Sequence, residues 1–164
     1  MTVFWILSAL TLLIDRAAKL IAQNAMTLGE RVVVIGGLIE LRFTHNTGMA
    51  LGILAGNVLA GIALPLIAIA AGVFILRRYR LSRFVLAAAG LILGGFFGNF
   101  LDRVFLGYVL DMIYFPWLPF FICNMADVAI TCGAALIGVS LLFRPKDWLP
   151  RKTGGAKHDQ NPDG

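Results

Sequence analysis

"GGFFGNFLDRVFLGYVLDMIYF", residues 94–115, begins as a membrane helix and finishes as something else. Gly90, Gly94 and Gly98 recur every four residues, a small-residue stripe that lets helix backbones approach closely. The same face then delivers Asp102 beside Arg103, with Asn99 one turn before Arg103, and Asp111 follows in the next segment. An Asp, Lys or Arg at the centre of a membrane helix costs about 2.5–3.5 kcal/mol, less near the surface. Such residues must pair with one another or meet water. The stretch therefore predicts a tightly packed helix ending near residue 106, at a polar site.

The rest of the chain fits that reading. It has 164 residues, of which 59% are hydrophobic and 14% charged, with a mean hydropathy of +0.85. That is too apolar for a soluble domain of this size. A span needs about 20 apolar residues, and four are expected, over about 3–23, 57–76, 84–106 and 121–143. The first lacks a basic leader and is interrupted by Asp15, Arg16 and Lys19, so it reads as a retained span rather than a cleaved signal.

Charge orients the spans. "RRYRLSR" (77–83) places four arginines between spans two and three, and Arg144, Lys146, Arg151, Lys152 and Lys157 follow span four. The opposite loops hold Arg31 and Arg42. This is the positive-inside pattern, so both termini are expected in the cytoplasm, with 24–56 and 107–120 outside. The net charge of +5 is then accounted for by basic segments touching anionic membrane lipids rather than nucleic acid. Within the outer segments, Leu38 to His45 alternates after Gly36-Gly37 and predicts a β-hairpin over about 30–45. "NTGMALGILAG" (46–56) reads as a short helix dipping toward the membrane. The aromatics at 105, 108, 114, 115, 117, 120 and 121 read as an interfacial belt. Residues 146–164 are expected to form a basic, disordered cytoplasmic tail.

With this orientation Asp15 and Lys19, then Asn99, Asp102 and Arg103, then Asn124 and Asp127 all fall in one depth band of the outer leaflet. Asp15 and Lys19 are one helical turn apart and can pair, which reads as structural. Arg16 points about 100° away, toward snorkelling or another helix. Cys123 and Cys132 read as packing residues without the partners a metal site needs. Asp111 and Asp127 have no obvious cationic partner. Two facing carboxyls separate their proton affinities, so that one can activate water while the other protonates a departing amine. Spacing alone leaves three readings open: an aspartyl-dyad hydrolase, a small ion-coupled transporter, and a structural subunit.

Five motifs, in order, resemble those of the lipoprotein (type II) signal peptidases of bacteria, a family of aspartyl intramembrane peptidases. They are "IDRAAK" (14–19), "NTGMALG" (46–52), "GGFFGNFLDRV" (94–104), "VLDMI" (109–113) and "CNMADVAI" (123–130), and the resemblance covers residues 1–145. It implies an all-α membrane fold of four transmembrane helices with a small extracytoplasmic β-hairpin or cradle. It implies Asp111 and Asp127 as the catalytic pair. Asn46, Gly48, Asn99, Asp102, Arg103, Asn124, Ala126, Asp15 and Lys19 would be the supporting and substrate-binding shell. The implied reaction removes the signal peptide of a prolipoprotein just before its diacylglyceryl-modified cysteine, without cofactor or metal. Globomycin-type cyclic peptides are the implied inhibitors. Leu51 and Cys123 depart from the family's usual aromatic residue and phenylalanine.

Overall fold

The computed structural model describes residues 1–48, 58–119 and 121–150. The expected dipping helix lies outside them from residue 49 on, Asn46 at its start being strand instead, and Leu51 and the tail beyond Pro150 lie outside them too. Four long helices are present: α1 (Thr2–Ala25), α2 (Val58–Arg78), α3 (Arg83–Leu106) and α4 (Met125–Phe143). Of these, α3 and α4 are long and apolar enough in their described residues to cross a membrane. Leu13, Ile21, Phe74, Leu142 and Phe143 point outward from the helices, an apolar surface that water would not tolerate over such an area.

Helix α3 is the centre of the bundle, and its glycines explain why. A methyl group at Gly90 would meet the carbonyl oxygen of Phe4 on α1 at 2.6 Å, and one at Gly94 would collide with that of Ser8. One at Gly95 would meet the Ala126 carbonyl of α4 at 2.6 Å. The stripe thus serves α1, while Gly95, one position off it, serves α4. At its start α3 is capped by the Ser82 hydroxyl, which accepts from the Val85 N–H. At its end Gly107 takes φ 80°, and its N–H donates to the Arg103 carbonyl, the left-handed C-cap that glycine permits.

That cap turns the chain into a strand, which the sequence reading had as loop. A four-stranded antiparallel sheet, in the order β1-β2-β4-β5, contains β1 (Arg31–Ile35), β2 (Ile39–Asn46), β4 (Val109–Tyr114) and β5 (Ile122–Cys123). The predicted hairpin is its first half. A hairpin alone is marginal in water; here β4 extends it, and Phe43, Leu110 and Met112 pack on Ala22 of α1. Two of the expected belt aromatics are drawn inward. Tyr114 is buried beneath the Arg42 guanidinium, which sits 3.5 Å from its ring centre, and Tyr108 stacks on His45.

At the opposite end a second small sheet pairs β3 (Tyr79–Leu81) with β6 (Trp148–Pro150). The tail is therefore ordered as far as Pro150, against the expectation for 146–150. Asp147 holds it there, accepting from the Ser140 hydroxyl at 2.9 Å and pairing with Arg144 at 2.8 Å.

Candidate active site

The site forms where the C-terminal parts of α1 and α3 meet β4 and the first turn of α4. Its base is a charged cluster that helices must bury in order to pack. Lys19 has three N–H groups and three partners: Asp15 at 2.9 Å, Asp102 at 2.7 Å and the Asn99 side-chain oxygen at 3.0 Å. Arg16, half-buried, donates through one nitrogen to Asp102, to Asp15 at 3.3 Å and to the Gly98 carbonyl. Asp15, Asp102 and Lys19 are almost wholly excluded from solvent. Two acids and two bases cancel, which is the condition for burying any of them.

Both acids of the cluster also grip backbone. Asp15 Oδ1 accepts from the Ala126 N–H of α4 at 3.0 Å, and Asp102 Oδ2 accepts from the Leu110 N–H of β4 at 3.2 Å. Each of these amides is one residue before a carboxylate that the cluster does not use, Asp127 and Asp111.

Those two acids are tied to each other by Asn124. Its side-chain amide donates to Asp111 Oδ1 at 2.7 Å and to the Asn99 oxygen at 3.0 Å. Its own oxygen accepts from the Asp127 N–H, while its backbone N–H donates to Asp127 Oδ2 at 3.2 Å. This reciprocal capping box starts α4, and it follows from Asn and Asp three apart ahead of an apolar run. Asn99 donates to Asp127 Oδ1 at 2.8 Å, and Asn46 to Asp111 Oδ2 at 2.7 Å. The Asn46 oxygen in turn accepts from the Gly48 N–H, and Arg103 holds the Gly48 carbonyl at 3.1 Å.

Every candidate residue is thus placed at this one locus. Arg103, expected in the supporting shell, braces the Gly48 turn and the Asn99 carbonyl; no ion pair joins it to a carboxylate among the described residues. Ala126 is buried against α3, beside the space where Gly98 has no side chain. Arg16, read from the sequence as snorkelling or meeting another helix, meets Asp102 of α3 and is the residue of this locus that was not counted among the site candidates. Its signal was available, since Asp102 had no assigned partner and Arg16 faces away from Lys19.

Asp111 is 1% exposed. Burial, and then the nearby charge of Asp127, push its carboxyl up to about 7, against the opposing pull of the Asn46 and Asn124 hydrogen bonds. Such a group gives or takes a proton readily at neutral pH. Cys123 is buried beside it as a free thiol, pushed up to about 12 by burial and then by the two aspartates. Cys132 is a free thiol on the exposed side of α4. Among the described residues no three of His, Cys, Asp and Glu converge to hold a metal ion.

The model of the signal peptidase (SPase) II family matches residues 7–143. The chain belongs to that family. It is 36% identical over 146 residues to the lipoprotein signal peptidase of Geobacillus kaustophilus, covering 87% of this chain and 94% of that one. It is also 36% identical over 163 residues to that of Pseudomonas fluorescens, covering 93% and 91%. A solved bacterial membrane enzyme superposes with a TM-score of 0.79 at 29% identity, over 87% of this chain and 88% of that chain. A second does so with a TM-score of 0.77 at 28% identity, over 88% and 95%. The protein is therefore a protease that removes signal peptides from lipoprotein precursors, and the transporter reading falls away.

Proposed function

We propose that Asp111 and Asp127 are the catalytic pair of a membrane-embedded aspartyl endopeptidase, which cuts a prolipoprotein on the N-terminal side of its diacylglyceryl-modified cysteine. The observation that carries this reading is the division of labour among four buried or half-buried acids. Asp15 and Asp102 are neutralised by Lys19 and Arg16, whereas among the described residues Asp111 and Asp127 receive only neutral amide donors. Two acids held close without a counter-ion can share a proton. The ionised carboxylate removes a proton from water as that water attacks the scissile carbonyl. The protonated carboxyl then supplies the proton that the departing amine needs, so the pair ends with one proton and the cycle closes.

The site's position at one end of the bundle supports a shallow, extracytoplasmic location. The four helices cross the inner membrane with both termini in the cytoplasm, and the signal helix and acyl chains of the substrate lie in the bilayer beside them. Asn46, Gly48, Asn99, Asp102, Arg103, Asn124, Ala126, Asp15 and Lys19 orient the pair and its approach. A globomycin-type cyclic peptide would occupy the same cleft. Asp111→Asn and Asp127→Asn should each insert, fold and fail to cleave a lipidated precursor, and the double variant should be little worse than either single one. Near-normal cleavage by either single variant would remove the dyad. A reporter inserted at Trp117 should read as extracytoplasmic; a cytoplasmic reading would invert the topology.

A further inference from the structure

A cavity of about 300 Å³ lies in the groove between α1 and α3. Arg16, Leu20 and Gln23 line it from α1, Leu101 and Phe105 from α3, and Leu110 from β4. Neighbouring strand residues point to opposite faces. A cavity walled by Leu110 therefore lies behind the strand, away from the Asp111 carboxyl. We propose that this cavity is a binding site for the ester-carbonyl region of a bilayer glycerolipid. The Arg16 Nε–H donates to the ester carbonyl, and an acyl chain lies along Leu20, Leu101 and Phe105.

Three observations lead there. The first is an orphaned donor: Arg16 Nε is buried and has no acceptor within reach among the described residues, although another nitrogen of the same guanidinium serves Asp15, Asp102 and the Gly98 carbonyl. A buried donor left unpaired is costly, so the position selects a molecule that brings an acceptor. The second is charge. Arg16 and Lys19 are already matched by Asp15 and Asp102. A phosphate or carboxylate would add an unbalanced negative charge beside two buried carboxylates, whereas a neutral ester oxygen satisfies the donor and leaves the balance intact. The third is the wall. Leu20 is 59% and Phe105 77% exposed, so the groove opens on the apolar outer surface of the bundle, where acyl chains run. The substrate's diacylglyceryl group carries the same ester chemistry. It hangs from the cysteine at the scissile bond, however, and so approaches from the Asp111 face. The site rests on the membrane location proposed above and is independent of which residues are catalytic.

The test compares an ester with its ether. Delipidated protein in detergent is offered dioleoyl phosphatidylethanolamine or its dialkyl-ether counterpart, and bound lipid is read by native mass spectrometry. The ester should be retained about tenfold more tightly or better, the scale of one hydrogen bond from a charged donor. Arg16→Lys keeps the positive charge facing Asp102 but deletes the Nε donor, and it should erase the preference while still binding the ether. Should that variant fail to fold, Leu20→Trp serves instead. By filling the groove it should lower retention of both lipids. Equal retention of ester and ether by the unaltered protein would overturn the proposal, as would a preference that survives Arg16→Lys, or unchanged retention in Leu20→Trp. Displacement of the bound ester by an excess of lipidated precursor would also overturn it, assigning the groove to the substrate. Precursor cleavage is followed on the same preparation. Protein that cleaves yet shows no ester preference sinks only the lipid site, and protein that shows the preference yet does not cleave sinks only the peptidase reading.

Discussion

Replacing Asn124 by serine and by alanine separates two jobs that one side chain performs. Asn124 caps α4 through its oxygen and donates from its amide to Asp111 Oδ1 at 2.7 Å. Serine is also a good N-cap but is too short and has no amide to reach Asp111, whereas alanine does neither. Asn124→Ala should therefore cost about 1 kcal/mol more in folding than Asn124→Ser, the usual worth of an N-cap. In catalysis the two should behave alike. The amide donor favours the ionised form of Asp111 and so holds its carboxyl down. A hydrogen bond to a charged acceptor is worth about 1.5–3 kcal/mol, and one pKa unit corresponds to about 1.4 kcal/mol. Loss of the donor should thus raise Asp111 from about 7 by roughly one to two units. The limb of the pH–rate profile that reports its ionisation should move to higher pH by that amount in both variants. The assay is kcat/KM for a lipidated precursor from pH 5 to 10 in detergent, beside thermal unfolding of the same samples. A stable Asn124→Ser with the unaltered protein's profile would refute the claim that this bond tunes the Asp111 carboxyl.

Three further outcomes follow from the packing and the charges. Gly95→Ala places a methyl 2.6 Å from the Ala126 carbonyl; it should cost about 1–3 kcal/mol and reduce turnover, while Gly36→Ala, with nothing within 4 Å, should change neither. Lys19→Met leaves Asp15 and Asp102 with Arg16 alone, and breaking such a buried cluster costs about 3–5 kcal/mol; folded yield in membranes should fall sharply, and near-normal yield would contradict the pairing. Asp111 is raised from 3.8 to about 7, so the folded protein holds this proton more tightly than the unfolded chain does. Its contribution is then present at pH 4 and lost as pH rises through 7. Asp111→Asn lacks that loss, so its stability relative to the unaltered protein should improve between pH 4 and pH 8, by on the order of 4 kcal/mol, and a difference in unfolding temperature that stays flat with pH would show that Asp111 is not buried as described.

Much of this was legible in the chain because hydrocarbon makes polar residues conspicuous. The four helices, the Asp15–Lys19 pair and a close helix approach at Gly90, Gly94 and Gly98 follow from spacing alone, whereas the identity of α1 as the helix that approaches comes from the folded chain. Strand β4 did not. "VLDMIY" is too short to carry a clear period, and its partner β2 lies more than sixty residues earlier, so only the folded chain shows that Thr44 pairs with Asp111. The start of α4 was placed early, at 121, because Phe121 to Cys123 are as apolar as the helix that follows. The capping box of Asn124 and Asp127 sets the true boundary. Arg103 was expected only as part of the supporting shell; a helical neighbour of Asp102 points about 100° away from it, and only the folded chain shows that this direction leads to Gly48.

The placement of Asp111 and Asp127 poses a problem that the buried cluster solves. Neither sits in the middle of a rigid element. Asp111 is on a six-residue strand, and Asp127 is in the first turn of a helix, where amides lack internal partners. Left to themselves these segments would fray, and a dyad needs its carboxyls held to about half an ångström. The hydrogen bonds from Leu110 to Asp102 and from Ala126 to Asp15 fix the backbone immediately before each aspartate. Lys19 joins the two anchors to one another and, through Asn99, to Asp127. A neutral hydrogen-bonding residue at 15 or 102 could accept the same amide but would leave Lys19 or Arg16 unbalanced. Burying charge next to the site is thus the means by which a short strand and a helix start are tied to α1 and α3, and in the proposed mechanism it leaves Asp111 and Asp127 as the carboxyls that exchange a proton.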